Sequence, residues 1–157
     1  MKITALEEYG LRCLLQIARV WEADISISEI AKKEGLSVEY VSKLTALLKN
    51  KGLIESTRGV KGGYRLTEAP QKITLAQISQ ALGQPMFDSE FCGEHTGVSP
   101  ICVHDGNCSV RSVWGTLYAH MNSVMEKITL GQLLKDEKNV QLQVADLLTE
   151  SKQNSAA

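Results

Sequence analysis

The sequence is short of proline, of aromatic residues and of unbroken apolar runs. Three prolines and an aromatic share of 5% in 157 residues argue against a β-sandwich or barrel and favour a mainly helical chain. Lys, Arg, Asp or Glu interrupts every stretch that could approach the roughly 20 apolar residues needed to span a bilayer, which excludes a membrane protein. Lys2, Glu7, Glu8, Arg12 and Arg19 are scattered through the opening apolar pattern, the wrong arrangement for a secretory signal, so the chain reads as cytoplasmic. No nucleophile–base pair, phosphate loop or dinucleotide fingerprint is present, which speaks against an enzyme. No two cysteines have the two-residue gap of a zinc knuckle or thioredoxin motif.

What is there has the balance of a globular protein, with 43% hydrophobic and 22% charged residues, and a length that favours one domain or a small domain with an appendage. The net charge is only −1, but it is unevenly spread. Residues Ser28 to Thr67 hold eight basic side chains (Lys32, Lys33, Lys43, Lys49, Lys51, Arg58, Lys61, Arg65) against four acidic, a local +4 that leaves −5 elsewhere. Such a segment suits a polyanion, although many solvated helical faces look the same.

Helical spacing begins at a Thr4-x-x-Glu7 capping box and runs through Leu6, Tyr9, Cys13, Leu14, Ile17 and Val20. Cys13 lies on this stripe and reads as a small core residue. A short helix from Ser28 to Glu34 stops at Gly35. A longer one follows with Ser37 as N-cap, a core face of Val38, Val41, Leu44, Leu47 and Leu48, and Gly52 at its end. This is a helix-turn-helix pattern. Strand-like runs at 53–57 and 64–67 then flank a glycine-rich, basic tip, and a helix-turn-helix followed by such a hairpin is a winged helix.

In that fold the exposed N-terminal positions of the second helix, Ser37, Glu39, Tyr40, Ser42 and Lys43, face the major groove of double-stranded DNA. Arg58 beside Gly59 suits a narrow minor groove, while Lys61 and Arg65 are expected to hold phosphates. A solvated basic hairpin is the plainer alternative.

A Thr74-x-x-Gln77 box opens a further helix, Leu75 to Leu82, and residues Gly83 to Asn107 lack periodicity. From Ser109 onward Val110, Trp114, Leu117, Met121, Val124 and Ile128 form a heptad seam, which suggests a homodimer or, alternatively, packing on the chain's own helices. Ile128 to Gln132 repeats the Ile-Thr-Leu-x-Gln of Ile73 to Gln77 and reads as a fresh helix start. The expected organisation is a DNA-binding domain over 1–82, a cysteine-bearing loop over 83–108, a dimerisation helix with a short successor over 109–134, and a partly disordered tail over 135–157. The fold class is mainly α with a small β-hairpin.

Cys92, Cys102 and Cys108 fall within the loop, separated by nine and then five residues. Three thiols on a glycine-rich loop can wrap a soft metal or an iron-sulfur cluster, either 2Fe-2S or 4Fe-4S, with His95, His104, Asp105 or Glu8 as candidates for a fourth ligand. A thiol–disulfide switch, a zinc site or an iron-sulfur carrier remain alternatives.

Taken together, the opening Met-Lys-Ile-Thr, the Ile-Ala-Lys-Lys-Glu-Gly-Leu-Ser turn, the wing Arg58-Gly59-Val60-Lys61-Gly62-Gly63-Tyr64, the Ile-Thr-Leu box and the three loop cysteines resemble the Rrf-two family of winged-helix transcription regulators, over about residues 1 to 134. The resemblance implies a homodimer, joined through the long helix, on a palindromic operator. For the cysteine-bearing branch it further implies an iron-sulfur cluster on Cys92, Cys102 and Cys108 that controls DNA binding in response to iron-sulfur status, redox state or nitric oxide. Some members place a histidine ligand three residues after the third cysteine, where this chain has Arg111. Others take the fourth ligand from the partner's N-terminal helix, and Glu8 occupies that position. Ser42 stands where one branch carries a glutamate that tunes operator choice.

Overall fold

The computed structural model describes residues 3–57, 62–83 and 91–154, the last seven of them by backbone alone. Helix α1, Ala5–Arg19, starts at the Thr4 capping box: the Thr4 hydroxyl accepts the Glu7 N–H while the Glu7 carboxylate accepts the Thr4 N–H. Helix α2, Ile27–Glu34, begins one residue earlier than its spacing suggests, because Ser26 and Glu29 form a second capping box. Gly35 ends it at φ 67°, a left-handed conformation that favours glycine. The Ser37 hydroxyl then accepts the Tyr40 N–H and starts α3, Val38–Asn50.

Strands β1, Ile54–Ser56, and β2, Tyr64–Leu66, pair antiparallel with Glu55 opposite Arg65; β1 is one residue shorter at each end than the run at 53–57, and β2 one residue shorter at its C-terminal end than the run at 64–67. Ile25, in the turn between α1 and α2, pairs with Tyr64 as an isolated antiparallel bridge on the other edge of β2, which the sequence pattern does not announce. The Ile25 N–H donates to the Tyr64 carbonyl at 3.1 Å and the Tyr64 N–H donates back at 2.9 Å.

Helix α4, Leu75–Leu82, starts at the Thr74–Gln77 box as expected. Within the stretch expected to be loop, Phe91–Glu94 forms one helical turn, α5. The long helix α6 is Ser109–Met125, and α7, Leu130–Leu133, opens on the Thr129–Gln132 box. The repeated boxes are more than two helix starts, since they pair with each other. Leu75 N–H donates to the Ile128 carbonyl at 2.7 Å and Leu130 N–H to the Ile73 carbonyl at 2.8 Å, which ties the end of α6 to the start of α4. Within the segment expected to be a partly disordered tail, Glu137–Asn154 forms helix α8, and residues 155–157 lie outside the described residues.

The core gathers Leu14 and Ile17 of α1, Ile30 of α2, Val41, Leu44 and Leu48 of α3, Ile54 of β1, Ile78 of α4 and Leu130 of α7, all essentially inaccessible. Burying each side chain of this kind is worth about 1.5–3 kcal/mol, so this one cluster fixes α3 and the hairpin on α1. Val38, in the first turn of α3, departs from the expected core face, being 46% exposed. Cys13 is fully buried, as its stripe implies, and burial pushes its thiol up to about 11. No helix among the described residues is long and apolar enough to cross a membrane.

Candidate DNA-binding surface and cysteine loop

On α3, Glu39, Ser42 and Lys43 are exposed and Tyr40 is half-buried. Tyr40 leans edge-on against Tyr9 of α1, ring centres 5.9 Å apart at 82°. The Arg12 guanidinium lies 5.4 Å over the Tyr9 ring and is held there by Glu34, whose carboxylate accepts Arg12 Nε at 2.7 Å and Gln16 Nε2 at 2.5 Å. With 7% of its side chain exposed, Glu34 anchors the end of α2 to α1 and keeps the guanidinium pKa above its usual value. Ser37 spends its acceptor on the helix cap, leaving its hydroxyl proton as the group it can offer to DNA. The first turn of α3 is thus an exposed polar surface on a buried apolar base, with its tyrosine braced from behind.

Arg58, Gly59 and Lys61 lie outside the described residues. Arg65, expected to hold a phosphate, is engaged within the chain: Nε donates to Asp24 Oδ1 at 2.7 Å and Nη2 to Asp24 Oδ2 at 3.1 Å. Asp24 and Thr57, like Tyr9, escape a reading by motif. Asp24 is far from Arg65 in sequence, and only the Ile25–Tyr64 pairing brings them together.

The loop thiols are all free and half-buried. Cys92 lies in α5, and Cys102 starts a turn closed by Asp105 N–H on its carbonyl at 3.0 Å. Cys108 is the N-cap of α6, its Sγ accepting the Arg111 N–H at 3.4 Å. His95 stacks on Phe91 and bonds its carbonyl through Nδ1 at 2.8 Å, while Asp105 pairs with Arg111 at 3.6 Å. His104 is exposed in the same turn region, and Glu8 is exposed on α1. Among the described residues no three His, Cys, Asp or Glu side chains stand close enough to hold a metal ion, so the structure does not bring the candidate ligands together within one chain. Three free thiols do have the donor chemistry that an iron-sulfur cluster takes.

The apolar seam of α6 divides along its length. Val110, Trp114 and Leu117 are 62%, 47% and 52% exposed, with Val113 beside them at 55%, whereas Ile128 beyond the helix end is buried. The N-terminal half is therefore left largely open by the described residues.

A helix-turn-helix followed by an antiparallel hairpin, with a long helix that leaves an open apolar face, is a winged helix of the kind that DNA-binding regulators use. Residues 3–136 match the Rrf2 family model, described as an iron-dependent transcriptional regulator, and the chain belongs to that family. It is 35% identical over 137 residues to the protein rrf2 of Nitratidesulfovibrio vulgaris, covering 87% of this chain and 89% of that one. Among solved structures it is similar to CymR, the global cysteine regulator of B. subtilis, with TM-score 0.68 and 29% identity over 87% of this chain and 99% of that one. It is similar also to T. potens IscR, with TM-score 0.66 and 30% identity over 87% and 88%.

Proposed function

We propose that this chain is a cytoplasmic, homodimeric repressor whose affinity for a palindromic operator is set by an iron-sulfur cluster on Cys92, Cys102 and Cys108, with Glu8 of the partner subunit as fourth ligand. The observation that carries the reading is Cys108: a candidate ligand is itself the N-cap of α6, so the state of its sulfur bears on the start of the helix that offers the open apolar face. When bound, the cluster supplies a crosslink between three points of the loop. The chain's own part is to present Ser37, Glu39, Tyr40, Ser42 and Lys43 to the major groove, with Arg58 and Gly59 at the minor groove and Lys61 on a phosphate, and to pair two recognition helices through α6. Coupling between such sites is typically about 1–3 kcal/mol, so cluster loss changes operator affinity by roughly 5- to 150-fold.

Protein purified without oxygen is expected to be coloured and to contain iron and acid-labile sulfide. A colourless, iron-free preparation that reconstitution leaves unchanged overturns the cluster. The second reading, a thiol–disulfide switch or zinc site on the same dimer, is favoured by the likeness to a cysteine regulator. Metal analysis beside thiol counting in air and in reductant distinguishes the two.

A further inference from the structure

The wing of this protein is fastened to the rest of the domain by a polar clamp centred on Asp24. The carboxylate lies in the turn between α1 and α2, immediately before Ile25. It accepts both Arg65 bonds described above and a third from the Thr57 hydroxyl at 2.8 Å. Thr57 Oγ1 in turn accepts the Gly63 N–H at 3.1 Å, and the Thr57 N–H donates to the Gly63 carbonyl at 2.9 Å. Thr57 and Gly63 are the residues on either side of the wing tip, so a single carboxylate holds β2 through Arg65 and the closing pair of the tip through Thr57. Directly beside it, the two Ile25–Tyr64 backbone bonds run the same connection through the main chain. Hydrogen bonds from Arg65 and then Thr57 keep the Asp24 carboxyl below the usual carboxylate range, consistent with an ionised, fully engaged group.

Arg65 correspondingly has little charge left to offer. Its fork is taken up bidentately by Asp24, and Glu55 faces it across the hairpin. A phosphate could reach only the guanidinium N–H groups that Asp24 does not take, on a side chain 41% exposed, and there the Asp24 and Glu55 carboxylates oppose it.

We propose that Asp24 is a positioning residue for DNA binding: through Arg65 and Thr57 it fixes the orientation of the wing, and Arg65 serves this clamp and not a phosphate. The inference rests on the DNA-binding reading and is independent of what the cysteines hold. A phosphate ligand and a wing clamp differ in salt dependence, because each phosphate neutralised adds about 0.9 to the slope of log affinity against log salt.

The test uses a duplex selected from a randomised pool by the wild-type protein, titrated at several salt concentrations with wild type, Asp24→Asn, Arg65→Gln and the double variant. The clamp predicts that each single variant binds about tenfold more weakly, that the double variant is no weaker than either, and that all share the wild-type slope. Thr57→Ser is expected to bind as wild type and Thr57→Val to lose affinity, and this pair decides the matter should a charge variant fold poorly. A slope reduced by about one in Arg65→Gln, or tighter binding with a steeper slope in Asp24→Asn, means that Arg65 is a phosphate ligand restrained by Asp24, and overturns the proposal. Wild-type affinity in all variants overturns it as well. A wild-type protein that selects no duplex removes the DNA-binding reading itself, and the clamp's role with it.

Discussion

Gly63→Ala tests how the wing is seated, with a sign that general propensity gets wrong. Gly63 is buried, its φ lies outside the left-handed region, and replacing such a glycine normally stabilises by about 0.4–1 kcal/mol by restricting the unfolded chain. Here an added Cβ would stand 2.7 Å from the Ile25 carbonyl oxygen and 2.9 Å from its carbon, and neither is the end of a flexible side chain. The backbone at Ile25 must retreat, and the bonds at risk are the two it exchanges with Tyr64. At about 1 kcal/mol net for each, their loss costs about 2 kcal/mol, which after the unfolded-state gain leaves about 1–1.5 kcal/mol of destabilisation. For a chain of this size that corresponds to a melting temperature lower by about 3–5 °C, read at fixed protein concentration because a dimer's midpoint depends on it. Gly93→Ala is the control: nothing lies within 4 Å of its added Cβ, and it sits in α5, so its expected change is within about 0.5 kcal/mol of zero. Circular dichroism melts of both variants decide the matter. A Gly63→Ala protein as stable as wild type, or more stable, refutes the close approach of Ile25.

Leu14→Ala removes a fully buried side chain from the middle of the core and should cost about 2–5 kcal/mol in urea unfolding; a change below about 1 kcal/mol would show that Leu14 is not central to that core. Cys13, buried and with its thiol raised to about 11, should stay unmodified by iodoacetamide at pH 8 in the folded apoprotein while Cys92, Cys102 and Cys108 are alkylated, and should react once urea unfolds the chain. Labelling of Cys13 in the folded protein at the rate of the loop thiols counts against its placement. The Asp24 carboxyl is held low by Arg65 first and Thr57 second, so the stability it contributes is complete above the unfolded-state value of about 3.9 and is lost only as the pH falls through its lower folded value. A carboxyl-resolved NMR titration should therefore find Asp24 still ionised at about pH 4, and a midpoint at or above that pH contradicts the clamp.

How much of this was legible in the sequence depends on the range of the interactions. Thr4, Ser37, Thr74 and Thr129 announce their helices because a cap and the N–H it receives are three residues apart, and the Ser26–Glu29 box carried the same signal. The apolar periodicity likewise put Cys13, Leu14, Ile17, Leu44 and Leu48 in the core. It misplaced Val38, because period alone does not say which residues of a helix's first turn find a neighbour to pack on. The candidate site was readable as a list of residue types and unreadable as a set of partners. Arg65 looks like a free cation until Ile25 pairs with Tyr64 and delivers Asp24 to it, and no local pattern encodes that meeting. The C-terminal helix was missed for another reason: its apolar residues are sparse, so α8 lacks the continuous stripe that marked α1 and α3.

The pairing of the two Ile-Thr-Leu boxes constrains how the proposed signal could travel. Helix α6 is 17 residues long, a strut of about 25 Å, with Cys108 capping one end and the Ile128–Leu75 and Leu130–Ile73 bonds fixing the other. Moving α6 relative to its own DNA-binding domain would break those two backbone bonds, at about 1–3 kcal/mol together, and would also pull Ile128 and Leu130 from where they are buried. That is as large as a typical coupling energy between two sites, so a change at Cys108 has nothing left with which to shift DNA affinity if it is first spent on this joint. The softer degree of freedom lies at the other end, where Val110, Val113, Trp114 and Leu117 are open and the side-chain ties among the described residues are the exposed Asp105–Arg111 pair and the Cys108 cap. In the proposed dimer a change in the cysteine loop would then be transmitted between protomers and not within one: each α6 would move as a body with its own recognition helix, and the quantity to alter would be the separation of the two half-sites the dimer spans.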